Sequence, residues 1–75
     1  MRRLEDTSID VVVPLYNDEE VVSILCSAVF REIESEFKSV HLVLIDDGSS
    51  DSTFKIAEEI AKTDTRIRLI RLAGN

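Results

Sequence analysis

Two short clusters hold most of the residues in this chain with chemistry to offer. Tyr16, Asn17 and Asp18 form one; Asp46, Asp47, Gly48, Ser49, Ser50 and Asp51 form the other, about thirty residues further on. Together they supply one aromatic face, carboxylate acceptors, hydroxyl donors and a glycine free to make a tight turn. A tyrosine ring can stack on a base, a carboxylate can accept its N–H, and helix N-termini favour negative charge. The set therefore suits the gripping of a nucleotide. Ordinary turn and capping roles also account for every residue type present, and composition alone leaves both readings open.

Other local patterns carry less. The acidic stretch after Ile45 lacks the alternating ligands and terminal glutamate of an EF-hand. Neither a Gly-Lys-Ser/Thr phosphate loop nor a G-x-G-x-x-G turn occurs, so P-loop and dinucleotide readings fail. The single Cys26 excludes an internal disulfide, a four-cysteine zinc site and a Cys-x-x-Cys redox pair, and it reads as a small buried hydrophobe. His41, early in an apolar run, reads as structural. Arg66, Arg68 and Arg71 read as solvating an exposed strand face.

Local patterning dictates the elements that must position the two clusters. Ile9 to Leu15 reads I-D-V-V-V-P-L, a β-branched run suited to a strand buried on both faces, with Pro14 placed where pairing stops. Residues 1–8 form a polar tail. Asn17 followed by Glu20 fits a capping box, and apolar residues at Val22, Leu25, Cys26, Val29, Phe30, Ile33 and Phe37 recur at helical spacing, predicting a helix over about 18–37. Val40 to Ile45 predicts a second strand that stops at the acidic cluster. Ser50 or Asp51 can cap a second helix over 52–62, with Phe54, Ile56, Ala57, Ile60 and Ala61 on its apolar side. Arg66 to Leu72 predicts a third, less buried strand.

The order β-α-β-α-β, with connections too long for hairpins, implies parallel strands and right-handed crossovers, one half of a Rossmann-like sheet. Loops after the strands then share one edge, where open α/β sheets bind ligands. Both clusters fall there, with Gly74-Asn75 after the third strand. Two helices leave much of the sheet bare, and the chain reads as truncated after Ala73-Gly74-Asn75, where a third helix would be expected.

Composition narrows the partners. The 75 residues are 44% apolar and 32% charged, with nine basic and fifteen acidic side chains and a formal charge of -6. That balance supplies no basic field for nucleic acid. No apolar run approaches the ~20 residues of a membrane span. Glu5, Asp6 and Asp10 stand where a signal peptide would need apolar residues, so a cytoplasmic location is expected.

The texts V-V-V-P-L-Y-N-D-E-E and L-V-L-I-D-D-G-S-S-D-S-T resemble the opening of the family 2 nucleotide-sugar glycosyltransferases. The ending I-R-L-I-R-L-A-G-N resembles the branch acting on polyprenyl and dolichyl phosphates, so the likeness covers residues 9–75. It implies a glycosyltransferase A-type parallel three-layer sandwich, of which 9–75 is the incomplete nucleotide-binding portion. It also implies nucleotide-binding roles for Pro14, Tyr16, Asn17, Asp18, Asp46 and Asp47. Tyr16 would pack on the base, Asp47 would hydrogen-bond it, and Asp46 would help hold the loop and the ribose side. Asp18 stands where glutamate is commoner.

The implied reaction is inverting transfer of a hexose from a UDP- or GDP-sugar to an acceptor, with a polyprenyl phosphate expected. The full-length parent is expected at the cytoplasmic face of a membrane and with a divalent cation, Mg or Mn. The Asp-x-Asp metal segment, catalytic base and acceptor region of such enzymes lie beyond the third strand. No metal ligand or catalytic residue is assigned here, and this piece alone is expected to be inactive. The competing readings are a non-catalytic nucleotide-binding remnant and a receiver-type signalling domain in which Asp46 and Asp47 hold a metal.

Overall fold

The computed structural model describes residues 3–72. After a 3₁₀ turn at Leu4–Asp6 come β1 (Ser8–Leu15), α1 (Val22–Ile33), a 3₁₀ turn at Glu34–Glu36, β2 (Ser39–Asp46), α2 (Thr53–Thr63) and β3 (Ile67–Arg71). The strands form one parallel sheet in the order β1-β2-β3, with Val11 beside Leu42 and Leu42 beside Ile67. The expected α/β order is thus present. Crossovers of one hand that step in one direction must place both helices on the same side of the sheet.

Burial shows that side. Leu15, Val40, Leu42, Leu44 and Ile67 are buried with Val22, Cys26 and Phe30 of α1 and Ala57 of α2. Ile9, Val11, Val13 and Leu69 on the same sheet face are partly buried against them. Successive strand residues point to opposite faces, so Val12, Val43, Ile45 and Ile70 turn the other way. Val12 is 58% exposed and Ile70 39%. Helix and sheet therefore make two layers, and the second sheet face is bare among the described residues.

Three expectations about the elements need correction. Helix α1 begins at Val22, not near residue 18, and no side chain caps it. Asp18 to Val21 instead forms a turn, in which the Asp18 carbonyl accepts from the N–H groups of Val21 (2.9 Å) and Val22 (3.2 Å). The regular helix also ends four residues early, passing into the 3₁₀ turn ahead of Phe37. Pro14 does not end the pairing, since the ladder continues to Leu15 beside Asp46. β1 is an edge strand, and alternate residues of a parallel strand bond to each side. The Leu15 carbonyl bonds toward β2, so the missing Pro14 donor falls on the open edge.

The three arginines do not share one role. Arg66 lies before β3, stacked 3.7 Å above the Phe30 ring and paired with Asp64 and Glu34. Arg68 alone is an exposed residue of the bare face. Arg71 lies on the helix-covered face, beside Phe54 (4.4 Å) and Asp46 (3.7 Å). Arg66 is drawn off the strand face because its guanidinium stacks on Phe30 and bridges the carboxylates of Glu34 and Asp64. His41 is exposed near the start of β2, with Nδ1 3.8 Å from an Asp10 oxygen, and Cys26 is buried.

Candidate functional site

Leu15, Asp46 and Arg71 lie side by side where the three strands end. The loops leaving β1 and β2 emerge there, as parallel geometry requires. The Asp47 N–H donates to the Leu15 carbonyl at 3.0 Å, which sets Asp47 next to the peptide of Tyr16. Both residues are open to solvent, Tyr16 at 60% exposure. Gly48, at φ +78°, turns the chain immediately afterwards, a backbone conformation that glycine adopts without strain.

The adjacent aspartates have opposite surroundings. Asp46 is fully buried; its Oδ1 accepts the Ser49 hydroxyl at 2.5 Å and its Oδ2 the Ser49 N–H at 3.2 Å. Asp47 is exposed, and its carboxylate has no hydrogen-bond partner among the described residues. Asp46 shapes the loop from within, whereas Asp47 is available to a ligand.

Asn17 joins the two loops. Its φ is +51°, a left-handed conformation that asparagine tolerates better than most residues. Its N–H donates to Ser49 Oγ at 2.9 Å, and its Oδ1 accepts from the Ser50 N–H at 2.9 Å and the Asp51 N–H at 3.4 Å. The expected capping of α1 by Asn17 is therefore replaced by long-range bonds to the second loop. Asp18 lies further along the same seam, its N–H donating to Thr53 Oγ1 at 2.7 Å and its Oδ2 accepting the Tyr16 N–H at 2.8 Å. The Glu19 N–H points to Asp51 Oδ2 at 3.4 Å.

A repeated device holds this seam. Ser49 accepts an N–H from the first loop and donates its hydroxyl to Asp46; Thr53 accepts the next N–H and donates to Asp51. Asp51 also takes the Thr53 N–H at 2.9 Å, supporting the start of α2 as an expected cap would. Burial raises the Asp51 carboxyl pKa, but hydrogen bonds from Thr53 and from nearby backbone N–H groups outweigh it and leave the group below its ordinary value.

Of the residues expected at the site, Tyr16, Asn17, Asp18, Asp46 and Asp47 are gathered at this edge. Pro14 lies one residue inside the strand, exposed on the bare face. Gly74-Asn75 falls outside the described residues. Ser49 belongs to the expected second cluster and holds the loops together from within. Thr53 was not expected there; its signal was a hydroxyl side chain shortly after the acidic pair, which local reading takes for turn formation.

The arrangement favours a neutral, hydrogen-bonding ligand portion with a flat face. Asp18, Glu19, Glu20, Asp47 and Asp51 surround the loops, and Arg71, already facing Asp46, is the cation at the strand ends. Phosphate would meet repulsion among these carboxylates. A base and its ribose would not. The described residues gather no three His, Cys, Asp or Glu side chains able to hold a metal ion, and both Asp46 oxygens are committed to Ser49. The residues present thus do not fit a divalent cation, and no chemistry is routed through one.

In open parallel α/β sheets ligands bind at the carboxyl ends of the strands, the edge at which both loops emerge here. The profile of glycosyl transferase family 2 matches residues 10–75, and the chain belongs to that family. It is 34% identical over 66 residues to the uncharacterized glycosyltransferase EpsJ of Bacillus subtilis (strain 168), covering 88% of this chain and 18% of that protein. An undecaprenyl-phosphate 4-deoxy-4-formamido-L-arabinose transferase of Proteus mirabilis (strain HI4320) is 36% identical over 56 residues, 75% of this chain and 17% of the relative. A prophage bactoprenol glucosyl transferase homolog of Escherichia coli (strain K12) is 45% identical over 58 residues, 75% of this chain and 18% of the relative. The chain thus spans less than a fifth of the length of these curated relatives. No helix among the described residues is long and apolar enough to cross a membrane.

Proposed function

We propose that this chain is the nucleotide-binding portion of a nucleotide-sugar-dependent glycosyltransferase. The longer protein would take a hexose from a UDP- or GDP-sugar and pass it to a polyprenyl phosphate at the cytoplasmic face of a membrane. A divalent cation held by residues beyond this chain would neutralise the diphosphate leaving group. One observation supports the reading: the solvent-open residues Tyr16 and Asp47 leave adjacent strand ends, where the Asp47 N–H bonds to the Leu15 carbonyl. In this reading the base stacks on Tyr16 and donates an N–H to Asp47, while Asp46 and Asn17 hold the loops without touching it. The relatives named for undecaprenyl-phosphate and bactoprenol transfer support the acceptor class.

Calorimetric titration with UDP and with GDP tests the reading. Loss of a charged hydrogen-bond partner costs about 1.5–3 kcal/mol, roughly ten- to a hundred-fold in affinity. Asp47→Asn is expected to weaken the preferred nucleotide by that factor, Tyr16→Ala by a comparable one, and His41→Gln scarcely at all. Equal affinity for the starting protein and Asp47→Asn would reduce the β2–α2 loop to a turn.

A further inference from the structure

We infer that Thr53 is a positioning residue of the nucleotide site, fixing Tyr16 from the first turn of α2 through Asp18. The inference rests on the nucleotide reading above and adds a residue that cannot itself reach the ligand. Thr53 is completely buried. Its Oγ1 accepts the Asp18 N–H at 2.7 Å, and the Asp18 carboxylate accepts the Tyr16 N–H at 2.8 Å. Two hydrogen bonds therefore connect a helix to the peptide that carries the exposed aromatic ring.

The anchor is rigid at each link. Thr53 is β-branched, so its χ1 has few choices, and its own hydroxyl proton is committed to Asp51. That commitment leaves the oxygen lone pair aimed at the Asp18 N–H. Helix α2 is in turn held by Ala57, fully buried against the sheet. Ser49, Ser50 and Asp51 secure the loop at Asn17. Thr53 adds an anchor one residue on, at Asp18, whose carboxylate reaches back to the Tyr16 N–H. Tyr16 then faces the ligand in the geometry it needs before the ligand arrives, which lowers the ordering cost of binding.

Two substitutions separate positioning from packing. Thr53→Val keeps the shape and removes the hydroxyl; Thr53→Ser keeps the hydroxyl and removes a buried methyl. Each is titrated with UDP and GDP, melted, and followed by hydrogen exchange at the Asp18 amide. Thr53→Val is expected to bind about five- to ten-fold more weakly, one neutral hydrogen bond's worth, with faster exchange at Asp18. Thr53→Ser is expected to bind within about twofold of the starting protein despite a lower melting temperature from its lost methyl. Affinities that instead follow melting temperature across both variants would assign Thr53 to packing and overturn the inference. If the unaltered chain binds neither nucleotide, the nucleotide reading fails by itself. Exchange at Asp18 then decides the anchor: acceleration in Thr53→Val but not Thr53→Ser supports it, and unchanged protection in Thr53→Val refutes it.

Discussion

Exchanging the two adjacent aspartates for asparagine, one at a time, should separate folding from binding. Asp46 has no exposed surface and receives both the hydroxyl and the N–H of Ser49. Asparagine in its place keeps the shape and one acceptor oxygen, but its amide group would meet the Ser49 donors with donors of its own. Hydrogen bonds to charged groups contribute about 1.5–3 kcal/mol each, and retention of one acceptor leaves a loss of about 2 kcal/mol. A chain of 75 residues has a total stability of about 4–11 kcal/mol at typical per-residue values. The loss is therefore a large share of the whole. With a urea slope near 1 kcal/mol/M for a small domain, the midpoint should fall by about 2 M. Asp46→Ala, which strands both Ser49 donors, should cost about 3–5 kcal/mol and approach complete unfolding. Asp47→Asn, exposed and without a protein partner, should stay within about 0.5 kcal/mol while losing nucleotide affinity. Urea denaturation followed by circular dichroism reads the first effect and calorimetry the second. Equal midpoint shifts for Asp46→Asn and Asp47→Asn would refute the division of labour.

Leu44→Ala, at a fully buried position on the covered sheet face, is expected to cost about 2–5 kcal/mol, whereas Val12→Ala on the bare face should cost under about 0.5 kcal/mol; similar losses in a urea titration would mean that the faces are wrongly assigned. Asn17→Ala should lose about 1–2 kcal/mol from its left-handed backbone and about 1 kcal/mol from the lost acceptor. Asn17→Gly, at ease with φ +51°, should lose less, and the opposite order on denaturation would contradict this account of the turn. Hydrogen bonds from Arg66 hold the Asp64 carboxyl below its ordinary value of 3.8, against a smaller opposing effect of burial. A depressed folded-state pKa contributes stability above the unfolded value that disappears as pH falls through the folded one. Melting temperature should therefore drop on acidification below about pH 4, less steeply in Asp64→Asn; parallel curves would exclude Asp64 as a contributor.

The α/β order and its three strands were legible because apolar runs and helical spacing are local properties. Val11 to Leu15 and Leu42 to Ile45 are strand-like in any context, and Val22, Cys26 and Phe30 share a helix face by spacing alone. The start of α1 was not legible. Asn17 and Glu20 have the form of a capping box, but Asn17 is claimed by Ser49, Ser50 and Asp51 across more than thirty residues, and no local pattern encodes such a claim. Asp46 and Asp47 were legible as a pair, not as a buried and an exposed member; strand alternation carried through Asp46 separates them, but only once the covered face is known. Arg71 was misread for the same reason. Thr53 went unnoticed because a hydroxyl beside a helix start looks like a cap, and its true partner is an N–H on another loop.

The bonds that join the two loops link residues 32 to 35 positions apart. During synthesis the first motif is complete by Asp18, yet its partners on the second loop, from Ser49 to Thr53, leave the ribosome roughly thirty residues later. Contacts that close such long loops form only after the intervening chain has lost its freedom. The ligand site should thus be among the last parts of this unit to mature. Any nucleotide that recognises it would act only on the finished form, drawing the population toward that form by mass action. For a unit this small, the supply of such a ligand would then influence how much of the folded form survives.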